Sequence, residues 1–278
     1  MQSYSEIEPH LRQVDHLRSP FSLGAGVLTW GVSVALIIGI QVVLGVGYVV
    51  WVMVKTGATP TAENIINKEF ALLALGATLV AHVLTVLFCW VLITKRLRLP
   101  FLQTQGWSWH PQFKLPHAIA LGIGMVLVAI VCSKLLPHHE TDLEKMLKLG
   151  LSVRLLTVVL AVFSAPFVEE FVYRGILYPA VESRAGWQMG VAVTSFLFAV
   201  VHVPQYWQSP AALTIIILLS IVLTAVRAYT GSILPTVVTH FVYNGIQSVM
   251  LLLGLADDDT KEKATQALIW GGQWIGLW

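Results

Sequence analysis

Charged residues are scarce in this sequence. Only 12% of its 278 residues are Asp, Glu, Lys or Arg, whereas soluble domains typically carry about 25%. Apolar residues make up 56% of the chain, and the mean hydropathy is +0.75. The formal net charge of +2 at pH 7 is too close to neutral to indicate a nucleic-acid partner. The composition therefore excludes an ordinary soluble domain and a nucleic-acid-binding protein.

Cysteine is almost absent, and none occurs in the polar loops. The two cysteines, Cys89 and Cys132, both lie in apolar runs. A disulfide framework would place an even set of cysteines at regular spacings in a loop-rich chain. We therefore predict that both are small, unpaired core residues.

Long apolar runs dominate the sequence. About 20 apolar residues are needed for a helix to cross a bilayer, and seven runs qualify. These facts predict an all-α, polytopic membrane bundle of about seven to eight transmembrane helices, with the lipid bilayer as partner. We expect an integral membrane protein, which in a bacterium would lie in the cell (inner) membrane. The runs are about 22–54, 70–94, 117–136, 151–181, 187–204, 210–229 and 232–255.

Four parts follow from these runs. Residues 1–21 form a polar N-terminal segment, and 22–150 hold the N-terminal transmembrane helices and loops. Residues 151–256 form a transmembrane core that carries nearly all of the unusual polar residues, and 257–278 form an interfacial C-terminal tail. In the tail, Trp270, Trp274 and Trp278 predict a short interfacial helix or an eighth partial span.

The densest basic cluster gives the orientation. Lys95, Arg96 and Arg98 directly follow the second span, and the positive-inside rule places such a loop in the cytoplasm. With seven spans, the N-terminus, the turn at 182–186 and the turn at 229–232 then lie on the same side.

Two adjacent acids and an arginine lie inside the fourth apolar run. Burying an ionised carboxylate in the hydrocarbon core is costly, so Glu169 and Glu170 should face the protein interior and serve function. Glu170 and Arg174 are four residues apart, hence neighbours on one helix face. Glu169 is offset by about 100° from Glu170 in an α-helix, so it points at a different target.

Later runs add two histidines and an amide at a similar depth. With a rise of about 1.5 Å per residue, Glu169 lies roughly 20 Å from the helix end near Arg184, and His202 lies roughly 22 Å from the helix end at Trp187. His240 and Asn244 lie about 12 and 18 Å from Gly231 by the same rise. Acids, histidines and an amide in one membrane-buried cluster indicate hydrolytic chemistry.

These residues fall into three ordered motifs: EEFVYR from Glu169 to Arg174, FAVVH ending at His202, and HFVYN from His240 to Asn244. In this order, on successive membrane segments, they resemble the CPBP family of intramembrane proteases. That family includes the Ras-converting type II CAAX prenyl endopeptidases and bacterial relatives linked to bacteriocin processing and self-immunity. The resemblance covers about residues 151–250, and no motif position departs from it.

The resemblance implies a mechanism for each motif residue. Glu169 would activate water as general base, assisted by His202, while His240 and Asn244 would stabilise the oxyanion at the scissile carbonyl. Glu170 with Arg174 would orient the site and balance its charge. The implied activity is an endopeptidase acting on a membrane-associated protein or peptide. A prenylated CAAX C-terminus, a bacteriocin leader and another membrane peptide all fit as substrates.

A metal site is an alternative, and the family has often been described as metalloproteases. Glu169, His202 and His240 could supply three zinc ligands with an open position for water. The sequence has no HExxH helix, however, and Asn244 is a poor zinc ligand. The sequence therefore favours a glutamate mechanism without a cofactor and leaves zinc at these three residues open.

Other interpretations concern roles outside catalysis. Glu170 and Arg174 could form a purely structural pair, and single histidines such as His82 are usually core residues. His138 and His139, beside Glu140, could bind a metal, but loop histidines are usually solvated. A proton-coupled transporter also uses membrane Glu, His and Arg but should show repeats or broken helices. A non-catalytic immunity or scaffold protein is the remaining class, although an intact motif set favours an enzyme.

Overall fold

The computed structural model describes residues 19–61, 65, 67–137 and 141–254. Within these ranges the regular structure is helical, and the single β-bridge, between His110 and Phe113, is isolated. The N-terminal residues 1–18, the loop residues 138–140 with their two histidines, and the tail with its three tryptophans lie outside the described residues. Predictions about those segments stay predictions.

The described residues form ten α-helices and three π-helical segments, in which the hydrogen bonds run from residue i to i+5. The α-helices are α1 (Leu23–Thr56), α2 (Lys68–Trp90), α3 (Phe101–Thr104), α4 (Leu115–Leu135), α5 (Asp142–Leu147), α6 (Leu151–Val159), α7 (Ala165–Glu169), α8 (Tyr178–Tyr206), α9 (Pro210–Thr230) and α10 (Leu234–Gly254). The π-helical segments are Val91–Arg96, Leu160–Ser164 and Glu170–Leu177.

Six helical stretches of the described chain are long and apolar enough to cross a membrane. The fourth, Leu151–Tyr206, is 56 residues long and contains two of the seven predicted runs. They separate at Gly186, whose φ of 82° and ψ of 167° break the helix within α8. Glycine tolerates this positive φ without steric cost. The prediction of an all-α polytopic membrane bundle is confirmed.

Polar caps define where the long helices begin and end. The side chains of Ser22, Asn67 and Ser209 accept hydrogen bonds from backbone N–H groups in the first turns of α1, α2 and α9. These bonds satisfy donors that have no partner within a helix. At the other end of α9, Gly231 adopts a left-handed conformation with φ of 65° and stops the helix.

The outward surface of the bundle is apolar. Large side chains such as Val54, Leu135 and Val43 are 81%, 76% and 69% exposed. A continuous apolar exterior of this kind is unusual for a soluble monomer and suits contact with lipid. Cys89 is buried and Cys132 is half-buried, and both are free, as the sequence predicts.

Four chain segments meet at one end of the bundle. Gly26, in the first turn of α1, lies so close to α8 that a Cβ there would be 2.8 Å from the Ala180 side chain. The loop 97–114 is fastened to the turn after α9: the Ile233 N–H donates to the Gly106 carbonyl at 3.1 Å, and the Ser232 hydroxyl binds the same carbonyl. The beginning of α1, this loop and the turn at Gly231 therefore share the side predicted from the sequence. Which face of the membrane this is stays a prediction.

Candidate active site

A proline shapes the fourth span just before the two acids. The Ala165 N–H donates to the Leu160 carbonyl, five residues back. In this shifted register the Ala161 carbonyl would pair with residue 166, but Pro166 has no N–H. The Ala161 carbonyl instead accepts a hydrogen bond of 2.8 Å from the Asn244 amide nitrogen. A local π-helical turn thus fixes a motif side chain from another helix.

The same device recurs after the acids. The Tyr178 N–H donates to the Tyr173 carbonyl, five residues back. The Arg174 carbonyl would then pair with residue 179, which is Pro179 and again lacks an N–H. Arg227 of α9 supplies the missing donor through its Nε at 2.9 Å. Pro166 and Pro179 therefore each free a carbonyl, and a polar side chain of a neighbouring helix binds it.

Glu170 is fully buried between two donors. Its Oε1 lies 3.1 Å from Arg174 Nη1 and 3.1 Å from His240 Nδ1. A carboxylate paired with arginine is an acceptor, so Nδ1 is the ring nitrogen of His240 that donates. The predicted pairing of Glu170 with Arg174 is present, and it extends to the histidine. This pair therefore fixes the orientation of the His240 ring.

Arg174 has no exposed surface and uses every side of its guanidinium group. Besides Glu170, it donates to the Thr224 hydroxyl at 3.1 Å and to the Ser220 hydroxyl and carbonyl at 2.8 and 3.1 Å. The guanidinium also lies 4.7 Å from the centre of the Phe198 ring. Such a set of bonds to α9 compensates for removing the charge from water.

Glu169 differs from its neighbour because no cation neutralises it directly. It is 5% exposed, and its Oε2 lies 3.8 Å from Nε2 of His240. Its Oε1 has no hydrogen-bond partner within the described residues. The His240 ring therefore lies between the two carboxylates, with Nδ1 towards Glu170 and Nε2 towards Glu169. A carboxylate oxygen without a protein partner is available to a water molecule.

His202 is held by its own helix, and its predicted role in assisting Glu169 stays a prediction. Its Nδ1 lies 2.7 Å from the Phe198 carbonyl, one turn back in α8, and it makes no ion pair with Glu169 within 4.0 Å. Its ring packs against Phe198, with centroids 4.6 Å apart. The histidine nearest to Glu169 is therefore His240. His202 contacts the cluster through Phe198, which also contacts Arg174.

All six motif residues that the sequence singles out are buried, at 0–5% exposure. Sequence reasoning missed their supports on α9. Ser220, Thr224 and Arg227 occur at i, i+4 and i+7 within an apolar span, and this spacing indicates one polar face turned to the interior. The freed carbonyl of Ala161 leaves no comparable signal, because it depends on hydrogen-bond register.

A cavity of about 320 Å³ adjoins the helix that carries the acids. At its wall, His82 Nδ1 lies 2.7 Å from the Ser164 hydroxyl. The sequence interpretation found no partner for His82, so this contact is new. This cavity lies between spans two and four. Hydrolysis at the depth of the motif residues would also need water between spans four, five and seven, and a water-filled cavity there stays a prediction. The lining residues are His82, Val83, Val86, Phe163, Ser164, Phe167, Val168 and Phe171.

The three donors that could hold zinc do not all meet: His240 Nε2 lies 3.8 Å from Glu169 Oε2, but His202 is bound through Nδ1 to the Phe198 carbonyl. Within the described ranges, no three His, Cys, Asp or Glu side chains form a group that could hold a metal ion. Both ring nitrogens of His240 face carboxylates, and Nδ1 of His202 faces the Phe198 carbonyl. Glu169, His202 and His240 of the described chain therefore do not fit the tetrahedral arrangement of a zinc site.

Comparison with known proteins agrees with the motifs. Residues 151–246 match the family model described as Rce1-like, type II CAAX prenyl endopeptidase. The match begins with α6 and includes all three motifs. No curated protein and no solved structure matches the chain. The match to the family model confirms the family resemblance that the three motifs predict.

Proposed function

Because residues 151–246 match the Rce1-like family model of type II CAAX prenyl endopeptidases, we propose that this chain is an intramembrane endopeptidase. Its substrate is a membrane-associated protein or peptide, and water activated by Glu169 hydrolyses the bond. The observation that carries the proposal is the unequal pair of acids. Glu170 forms an ion pair with Arg174 at 3.1 Å and bonds His240 through the same oxygen, whereas the nearest cationic group to Glu169 is His240 Nε2 at 3.8 Å. Each acid keeps one oxygen without a protein partner, so the two acids differ in how their charge is neutralised.

The attacking water is activated by Glu169. Its carboxylate takes a proton from the water, and the hydroxide adds to the carbonyl carbon of the scissile bond. When the tetrahedral intermediate collapses, Glu169 returns the proton to the departing amine. His202 assists as a further polar group at the same depth. The products are a new carboxylate and a new amine, so the water is fully accounted for.

The oxyanion is stabilised by His240 and Asn244. The Asn244 amide nitrogen carries two N–H groups; one donates to the Ala161 carbonyl, and the other is directed to the substrate oxygen. Glu170 accepts a hydrogen bond from His240 Nδ1. Donation from Nε2 to the oxyanion requires the imidazolium form of His240, in which both ring nitrogens carry a proton. Preorganised donors of this kind lower a barrier by about 3–4 kcal/mol.

An apolar part of the substrate fits the cavity between spans two and four. Most of its lining is valine and phenylalanine, and Val168 directly precedes Glu169 in the chain. A hydrocarbon group in this cavity would hold the adjoining peptide bond near the acids. The prenyl group of a CAAX protein and the apolar side chains of a membrane peptide both have this chemistry.

The proposal is tested by supplying peptides to the purified protein in lipid nanodiscs. The panel contains a prenylated CAAX peptide, the same peptide without the prenyl group, and an apolar membrane peptide. The reaction is run in ¹⁸O-labelled water and followed by mass spectrometry. We expect cleavage of at least one peptide, with a single ¹⁸O in the new carboxylate. Cleavage of none by folded protein would contradict a peptidase function and favour a transporter or a scaffold.

A further inference from the structure

A second cluster of buried polar groups lies next to the site, on the side away from the loop 97–114. Its members are at most 2% exposed, and each has a side-chain oxygen or nitrogen without a hydrogen-bond partner in the described protein. The atoms are Oγ1 of Thr157, Oδ1 of Asn244, both amide atoms of Gln247, whose side chain also interacts with Tyr243, and Oγ of Ser248. None of these atoms takes part in the reaction proposed above.

Helix register brings these residues to one level. His240 contacts Glu169 and Glu170, while Asn244 contacts the Ala161 carbonyl. From His240 to Asn244 the residue numbers of α10 rise, while those of the residues they contact in the fourth span fall from 169–170 to 161. The helix α10 therefore runs antiparallel to the fourth span. Thr157 lies four residues before Ala161, and Ser248 lies four after Asn244. One turn beyond the Asn244 contact, the two hydroxyl groups therefore approach the same level of the bundle.

Buried polar groups without protein partners are normally hydrogen-bonded to ordered water. A buried water needs two to four polar partners, and this cluster offers that number within about one helical turn. The orientation of the Asn244 amide also matters. Its nitrogen is committed to the Ala161 carbonyl, so its Oδ1 is an acceptor that faces away from that bond.

We propose that Thr157, Gln247 and Ser248, together with Asn244 Oδ1, hold ordered water between the fourth span and α10, and that this water supplies the hydrolysis. The supply role rests on the proposed function, whereas the binding of water does not. Thr157 lies six residues after the start of α6, and Ser248 lies six residues before the end of α10. By helix rise the site is therefore about 9 Å from the helix ends opposite the loop 97–114. Thr157, Gln247 and Ser248 act by holding water and do not contact the substrate.

Removing the two hydroxyl groups tests the binding of water, because the Tm should fall if water is bound there and rise if the cluster is dry. In a dry cluster, replacing an unpaired hydroxyl with an apolar group of the same shape stabilises a protein, whereas in a wet cluster the same change removes hydrogen bonds. We expect Thr157→Val with Ser248→Ala to lower the Tm by about 2–4 °C. Thr29→Val is the matched control, because its buried hydroxyl donates only to the Ala25 carbonyl of its own helix. A Tm that rises above that control would overturn the proposal.

Two further measurements separate water binding from the supply role. An experimental map of the unaltered protein should show water density between Thr157 and Ser248, and dry, direct contact there would overturn the proposal even if the protein is a protease. In peptide cleavage, the double variant should lower kcat and leave KM unchanged, while Thr157→Ser, which keeps the hydroxyl, should retain wild-type kcat. A raised KM with unchanged kcat would contradict the supply role. If no peptide is cleaved at all, the Tm and the map still decide on the water.

Discussion

At the scale of single residues, Arg174 is the residue whose replacement should lower the stability of the protein most. Its guanidinium group has no contact with solvent and bonds Glu170, Ser220 and Thr224. Removing one partner of a buried ion pair costs about 3–5 kcal/mol, because the other charge stays uncompensated. Arg174→Ala should therefore lower both the thermal stability and the activity.

A double-mutant cycle measures whether the two residues are coupled. Combining Arg174→Ala with Glu170→Gln removes both charges, so part of the stability lost in the single variant should return. Thermal unfolding in detergent or nanodiscs gives the four stabilities. Losses that simply add would show that Glu170 and Arg174 are not directly coupled. Activity should stay low in both variants that carry Glu170→Gln, because His240 then loses the carboxylate that holds its Nδ1.

A metal is the second question at this scale. Glu169, His202 and His240 lack the arrangement of a zinc site in the described chain, and Asn244 uses its amide nitrogen on a carbonyl. We predict that thorough chelation leaves peptide cleavage unchanged and that metal analysis finds no stoichiometric zinc. Loss of activity on chelation, with recovery on adding zinc alone, would mean that the glutamate mechanism is wrong.

At the scale of secondary structure, Pro166 gives the sharpest test. Pro166→Ala restores an N–H that can donate to the Ala161 carbonyl, and this donor competes with Asn244. Loss of one oxyanion donor typically costs about 10²–10³ in kcat, so partial displacement of Asn244 should cost at least about tenfold. Stability should stay the same or rise, since a helical bond is gained.

The matched control for this prediction is Pro210→Ala. Pro210 is the first residue of α9, where a missing N–H frees no carbonyl. Its replacement should leave both cleavage and stability unchanged. If Pro166→Ala keeps full activity, the Ala161 carbonyl does not position Asn244.

The α-helical repeat predicted some contacts of the site and failed for others. Glu170 and Arg174 pair as their four-residue spacing predicts, because that spacing keeps two side chains adjacent even in a π-helical segment. The nearest histidine to Glu169 could not be predicted, since it depends on how α8 and α10 rotate about their axes. The bonds from Asn244 and Arg227 to freed carbonyls depend on a shift of one residue in hydrogen bonding, which residue patterns do not encode.

At the scale of the whole molecule, the depth of the motif residues in the membrane was predictable, because it follows from the number of residues between each motif and the end of its helix. The three motifs meet at one level, as the rise per residue predicts, and the ends near Gly26, Gly106 and Gly231 share one side of the bundle. The cavity between spans two and four could not be predicted, because it depends on how side chains of two distant segments pack.

Orientation in the membrane follows from the basic loop after the second span. The positive-inside rule places Lys95, Arg96 and Arg98 in the cytoplasm, so substrate would reach the site from that side. Cysteines replacing the exposed Arg184 or Tyr229, in a chain lacking its two native cysteines, should react with membrane-impermeant reagents only after cells are opened. Trp207 directly follows α8, at the end of the helix opposite to Arg184. Trp207→Cys is therefore the control and should react in intact cells. The reverse pattern would invert the orientation and leave the clustering of the site intact.

The central claim, that Glu169 activates the hydrolytic water, is tested most directly by Glu169→Gln in the peptide-cleavage assay. The change keeps the shape of the side chain and removes its ability to take a proton. Glu69→Gln, the same change at an exposed carboxylate in the first turn of α2, is the matched control. We predict that Glu169→Gln inserts and folds normally while cleavage falls by at least about a hundredfold, and that Glu69→Gln cleaves at the wild-type rate. Cleavage by Glu169→Gln at a rate close to that of the control would contradict the mechanism.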